Sequence, residues 1–169
     1  MIKAFLVAAV SADGFIARDP AAPSTSWTSP EDKKRFVALT KAAGVCVMGS
    51  KTWQTFGRQP LKERLNIVYS RQHFTDLPVG VETTNKTPAD LLRELEDRGF
   101  REVAICGGAS VYTLFLKAGL IDRLYITIEP VLFGRGIKLF EEIPEVRLEL
   151  IETERTATGT LFLTYEVKR

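Results

Sequence analysis

The sequence is poor in the side chains that do soft-metal and redox chemistry. Its 169 residues include two cysteines, two methionines and one histidine. Cys46 and Cys106 stand in the apolar stretches Val45-Cys46-Val47-Met48 and Val103-Ala104-Ile105-Cys106. They read as small buried side chains, not as a disulfide framework. No CxxC pair and no Cys/His cluster occurs, so no metal site is expected. His73, in Ser70-Arg71-Gln72-His73-Phe74, has no partner at motif spacing and reads as a surface-loop residue. An excess of one charge sign is also missing. Lys and Arg number 23 against 21 Asp and Glu, a net +2, too small an imbalance to suggest a nucleic-acid binder. No apolar run approaches the roughly 20 residues of a membrane span. The apolar start Met1–Val10 runs into Ser11-Ala12-Asp13-Gly14 without the cleavage pattern of a secretory signal. The expectation is a cytoplasmic protein with neither membrane nor nucleic-acid partners.

What is present is ordinary globular material: 45% hydrophobic and 26% charged residues, enough for one domain over 1–169. Continuous apolar runs at Lys3–Val10, Val45–Gly49, Leu65–Ser70, Glu102–Cys106 and Arg123–Glu129 suit strands buried on both faces. Arg147–Glu154 and Leu161–Lys168 alternate more clearly, and Thr156-Ala157-Thr158-Gly159 joins them as a hairpin. Ser29-Pro30-Glu31-Asp32 opens a helix: serine caps, proline suits the first turn, and acids suit the positive end. Thr87-Pro88-Ala89-Asp90 opens another, ended at Gly99. Ser110–Ala118 is a third helix and Lys51–Phe56 a short fourth. The fold class is therefore α/β: a central, mostly parallel sheet with an antiparallel C-terminal edge, and helices on both faces.

Four segments carry potential chemistry. In Ile105-Cys106-Gly107-Gly108-Ala109-Ser110-Val111-Tyr112 a buried strand passes through two glycines into a helix, a turn that lets backbone amides approach a phosphate. The plain alternative is a tight turn. Met48-Gly49-Ser50-Lys51-Thr52-Trp53 repeats the pattern with a lysine and hydroxyls, or is simply a helix start with core aromatics. Asp32 lies four residues before Phe36, so a carboxylate and an aromatic surface share a helix face. Such a pair can hold the amidine-like edge of a heterocycle; alternatively, Asp32 only complements the helix dipole. Arg64 precedes a buried strand and can grip a carboxylate bidentately, or be a surface arginine.

In this order and spacing the pieces resemble dihydrofolate reductase over nearly the whole chain. The likeness rests on the opening strand, Trp27 with Pro30 and Asp32, Met48-Gly49 with Thr52-Trp53 and Gly57-Arg58, Arg64, Gly107-Gly108 with Tyr112, and Tyr125-Ile126-Thr127. The resemblance implies NADPH-dependent reduction of 7,8-dihydrofolate to tetrahydrofolate. It casts Asp32, Thr127 and Trp27 as the catalytic group. Asp32 would bind the pterin edge, Thr127 would partner it, and Trp27 would adjoin a mobile loop containing Ser24, Thr25 and Ser26. It implies that Phe36 and Phe56 line the substrate pocket and that Arg64 takes the glutamate-tail carboxylate. For NADPH it implies Ala9, Ile16 and Tyr112 at the nicotinamide, and Gly107, Gly108, Ser110 and Val111 at the pyrophosphate. Ser50, Lys51 and Thr52 would approach the phosphates, and Ser70 and Arg71 the adenosine 2′-phosphate. Two positions depart from the family pattern. Ser50 stands where a cation is common, which shifts phosphate binding to Lys51 and Arg71. Lys33 stands where an apolar pocket residue is common.

Other stretches resemble the riboflavin-pathway pyrimidine reductases of the same fold. They are Ser11-Ala12-Asp13-Gly14-Phe15-Ile16-Ala17 and Glu129-Pro130-Val131-Leu132-Phe133-Gly134-Arg135-Gly136-Ile137-Lys138-Leu139-Phe140. An arginine at the tail-binding place favours folate over a ribose-phosphate substrate. Reduction of that pyrimidine is the alternative, and a non-catalytic nucleotide- or pterin-binding module is a third reading. Val131–Phe140 also raises the expectation of a homodimer, or simply completes the core.

Overall fold

The computed structural model describes residues 1–72 and 74–168; His73, expected in a surface loop, lies outside the described residues. The first apolar run forms β1 (Lys3–Ser11), and its alternate residues face opposite layers, as strand geometry requires. Ala4, Leu6, Ala8 and Val10 join one core; Phe5 and Val7 join the other. The chain continues through β2 (Phe15–Ala17) and a single 3-10 turn at Ser24–Ser26 to α1 (Pro30–Ala43). Then come β3 (Val45–Gly49), α2 (Ser50–Thr55), β4 (Leu65–Tyr69), β5 (Val81–Thr84) and α3 (Pro88–Asp97). The remainder is β6 (Glu102–Ile105), α4 (Ala109–Lys117), β7 (Arg123–Glu129), β8 (Ile137–Lys138), β9 (Leu148–Arg155) and β10 (Leu161–Val167).

Eight strands form one sheet in the order β5-β4-β3-β6-β1-β7-β10-β9. The strands from β5 to β7 are mutually parallel; β10 runs antiparallel to both β7 and β9. Helices cover both faces. Leu91, Leu92 and Leu95 of α3 and Val111, Phe115 and Leu116 of α4 pack into one core. Phe36, Leu39 and Ala43 of α1 and Trp53 of α2 pack into the other, which also buries Cys46 and Cys106 as free thiols.

The helix starts follow the local chemistry. Ser29 Oγ accepts a hydrogen bond from the Asp32 N–H at 3.1 Å, Pro30 occupies the first turn, and Gly44 ends α1 at φ 73°. Thr87 caps α3 in the same way, accepting from the Asp90 N–H at 3.2 Å.

The outcome differs from the sequence reading at three places. β5 follows Gly80 as a four-residue edge strand in which Val81 alone is buried, too little apolar pattern to mark it. β2 and β8 form a separate two-stranded sheet whose pairing links distant segments. β9 alternates in sequence, yet all eight of its residues are exposed. Its neighbour in the sheet is β10 alone, so β9 is an edge strand.

Candidate active site

Parallel strands point their carboxyl ends the same way, so the turns that leave them converge on one edge of the sheet. That edge holds a cavity of about 1550 Å³. The second half of β1 lines it with Val7, Ala8 and Ala9. Gly49 ends β3 there, Tyr69 ends β4, Thr84 ends β5, and Cys106-Gly107-Gly108 leaves β6. The volume exceeds the roughly 300–1,000 Å³ of a typical site for one drug-sized molecule, which leaves room for two ligands side by side.

Two glycine turns meet at its floor. The Gly49 N–H donates to the Gly107 carbonyl at 2.7 Å, and the Cys106 N–H donates to the Val47 carbonyl at 2.8 Å. Side chains would be crowded here. A Cβ on Gly49 would meet Val111 at 3.2 Å, one on Gly108 would meet Thr52 Oγ1 at 3.3 Å, and Gly107 has φ +113°. The Gly107–Gly108 peptide is cis. Ser110 and Val111 open α4 directly after this turn, and Ser50, Lys51 and Thr52 open α2; all five line the cavity. Tyr112 closes the floor, buried, with its hydroxyl donating to the Val7 carbonyl at 2.7 Å. Burial pushes its phenol well above the usual range. Ser70 and Arg71 lie at the far end beyond Tyr69, and Ile16 lies on the near side. Every residue expected to hold the cofactor therefore borders one continuous space.

Asp32 borders the same space together with Phe36 and Phe56. It is half-buried, and burial is the main reason its carboxyl is held above the usual carboxylate range. The Thr127 hydroxyl pulls it down, the Glu129 charge pushes it up, and Thr28 and Arg35 pull it down again. Thr127 sits behind Asp32 on β7, almost fully buried, in register with Ala9 of β1.

Arg64 and Trp27 do not line the cavity. Arg64 lies three residues beyond the lining residue Leu61. Its Nε donates to the Lys62 carbonyl at 2.9 Å, and Nη1 donates to the Thr40 hydroxyl of α1. Trp27 packs edge-on against Phe133, with ring centroids 4.9 Å apart, while its neighbours Ser24, Thr25 and Thr28 reach the cavity. Arg18 covers the same Phe133 ring at 4.4 Å. The loop over the site is thus held through Phe133 on the β7–β8 connection.

Residues 3–162 match the family described as the RibD C-terminal domain. The chain belongs to that family. Its similarity extends to proteins named for dihydrofolate reduction and for riboflavin biosynthesis. It is 35% identical over 175 residues to dihydrofolate reductase HdrB of Haloferax volcanii, covering 99% of this chain and 85% of that protein. A putative riboflavin biosynthesis protein from Shewanella sp. PV-4 superposes with a TM-score of 0.84 at 28% identity, over 99% of this chain and 100% of that one. The Enterococcus faecalis dihydrofolate reductase complexed with NADP(H) superposes with a TM-score of 0.82 at 23% identity, over 99% and 97% of the two chains, a likeness of fold. This member of the RibD C-terminal domain family is an oxidoreductase of the dihydrofolate reductase and RibD-like kind.

Three features of this family member's site were not read from its sequence. Tyr69 borders the cavity with a buried hydroxyl that has no hydrogen-bond partner among the described residues, and burial pushes its phenol up to about 12. Thr84, which ends the unforeseen β5, and Asn85 and Lys86 just past it complete that end of the cavity. Glu129 is a buried carboxylate close enough to act on Asp32. Its signal was one acid closing the apolar run Ile126-Thr127-Ile128. Among the described residues, no group of three or more His, Cys, Asp or Glu is placed to hold a metal ion.

Proposed function

We propose that the chain reduces 7,8-dihydrofolate with NADPH. One observation carries the reading: Asp32, a carboxyl with a raised pKa, borders the same cavity as the double glycine turn. A carboxyl can pair with the 2-amino group and ring nitrogen of a pterin, and a raised pKa suits a group that supports protonation of that ring. Phe36 and Phe56 supply apolar walls beside it. NADPH would supply the hydride. Gly107, Gly108, Ser110 and Val111 would hold its pyrophosphate, with Lys51 and Arg71 as the nearby cations. The cramped glycine floor supports this fit, since backbone amides there can approach a ligand that a side chain would exclude.

A second reading, reduction of a ribose-phosphate-bearing pyrimidine, draws support from Lys33. This exposed ammonium borders the cavity next to Asp32, where an aminobenzoyl ring would find an apolar wall more favourable. The assay that separates the two follows loss of absorbance at 340 nm with NADPH and either dihydrofolate or the pyrimidine. We expect oxidation with dihydrofolate, and inhibition by methotrexate through its pairing with Asp32. Oxidation with the pyrimidine alone overturns the folate reading; oxidation with neither leaves the binding-module reading.

A further inference from the structure

Glu129 closes β7 and is 3% exposed, a rare position for a carboxylate. Both of its oxygens are engaged. Oε1 accepts hydrogen bonds from the Ser29 backbone N–H and from the Ser29 hydroxyl, each at 2.7 Å. Oε2 accepts from the Thr160 hydroxyl at 2.8 Å. Ser29 is the cap of α1, and its Oγ accepts from the Asp32 N–H. One buried carboxylate therefore joins the end of β7, the residue before β10 and the cap of the first turn of α1. Asp32 stands on that turn, and Thr127 stands two residues before Glu129 on β7.

Among the described residues the donors to Glu129 are all neutral, and no cation is hydrogen-bonded to it. A glutamine could accept the same Ser29 bonds, so capping alone does not require an acid here. The charged or titratable groups acting on Asp32 come from three elements. Glu129 faces it from β7, Arg35 from the next turn of α1, and Tyr112 from α4. Arg35 is occupied elsewhere. It donates to the Ile126 carbonyl at 3.3 Å and to the Thr164 hydroxyl at 3.2 Å, and lies over the Phe162 ring at 4.6 Å. Glu152 and Glu154 of β9 also act on its charge.

We propose that Glu129 is a positioning residue: through its bonds to Ser29, the cap of α1, it sets where Asp32 stands, and it places a buried carboxylate on the strand packed behind that acid. The inference rests on the reading of Asp32 as the substrate-facing acid, but its test does not need turnover. In protein carrying carboxyl-labelled aspartate, 13C NMR follows the titration of Asp32, assigned by the resonance lost in Asp32→Asn. Glu129→Gln keeps the shape and removes the charge. It should lower the Asp32 midpoint by at least about half a pH unit, the size expected from losing a nearby like charge. Glu129→Asp keeps the charge on a shorter arm. It should leave the midpoint near the parent value and lower the melting temperature, because Ser29 is held less well. In an active enzyme, Glu129→Gln should also move the high-pH fall of kcat/KM to lower pH.

An unshifted midpoint in Glu129→Gln overturns the proposal. So does an equal shift in both variants, because charge would then not be the cause. If Glu129→Gln does not fold, the neutral, similarly long Glu129→Met carries the same test: a lowered Asp32 midpoint upholds the proposal and an unshifted one overturns it. A shifted midpoint in a chain that does not reduce dihydrofolate counts against the proposed substrate and leaves the assignment of Glu129 standing.

Discussion

On the proposed folate reading, Asp32 is where chemistry and stability oppose each other. Burial first, and the charge of Glu129 after it, make its ionised form less favourable in the folded chain than in the unfolded one. The folded state therefore binds this proton more tightly. Its stabilising contribution is complete below the unfolded pKa of about 4 and is lost as pH rises through the higher folded value. Asp32→Asn removes the carboxylate that the fold tolerates poorly at neutral pH. We expect the variant to melt higher at pH 7, by about 2–4 °C for each kcal/mol relieved, and to converge on the parent below about pH 4. Turnover at neutral pH should fall by at least about 100-fold while NADPH still binds. Melting curves at the two pH values and a cofactor titration check both halves. Arg64 makes a narrower case. Its Nε and Nη1 already bond within the protein, so it enters the folate reading only as an anchor for the tail carboxylate. Arg64→Leu should raise KM for glutamylated substrate about 10-fold or more and spare a tail-less pterin. An equal loss for both substrates would contradict the role.

The loop over the site is restrained by the turn between β1 and β2. Asp13 is exposed, yet its carboxyl is held down to about 2, first by the Ser11 hydroxyl and then by the Gly134 and Phe133 N–H groups. Ser11 Oγ donates to it at 2.6 Å and the Gly134 N–H at 2.7 Å. These bonds hold the β7–β8 connection, whose Phe133 sits between Arg18 and Trp27. A depressed carboxyl stabilises above its unfolded pKa of about 4, and this is lost as pH falls toward about 2. Asp13→Ala should speed hydrogen exchange at the Phe133 and Gly134 amides at pH 7. Unchanged exchange there would show that the connection holds without the carboxylate.

For the assembled chain, the open matter is whether it pairs with a second copy. Three of the six apolar residues of Val131–Phe140 pack within the chain: Phe133 against Trp27, and Leu139 and Phe140 against the core. Leu132 stays 72% exposed, and the edge strand β9 adds Leu150 and Ile151. If these residues support the expected homodimer, sedimentation at micromolar concentration gives twice the 18.9 kDa chain mass, and Leu132→Asp shifts it to monomer. Monomers in the unmodified protein remove the homodimer.

Much of this was legible because it is local. The strand runs, the serine and threonine caps and the glycine turns depend on neighbouring residues, and β1, β3 and the starts of α1 and α3 follow the pattern closely. Asp32, Phe36, Phe56 and the residues that the resemblance assigns to a cofactor come from motif order along the chain, and folding brings them to the border of one cavity. The rest depends on contacts between distant segments, which no short window records. Lining the cavity and standing behind it are different matters: Thr127 and Arg64 match a motif, but packing puts them outside the wall. Glu129 shows this most plainly. Its bonds to Ser29 span 100 residues, and its effect on Asp32 exists only once β7 is laid against the start of α1. The chain's order supplied the acid and the glycine floor. Folding decided which buried charge faces that acid, because charge acts through space and not along the chain.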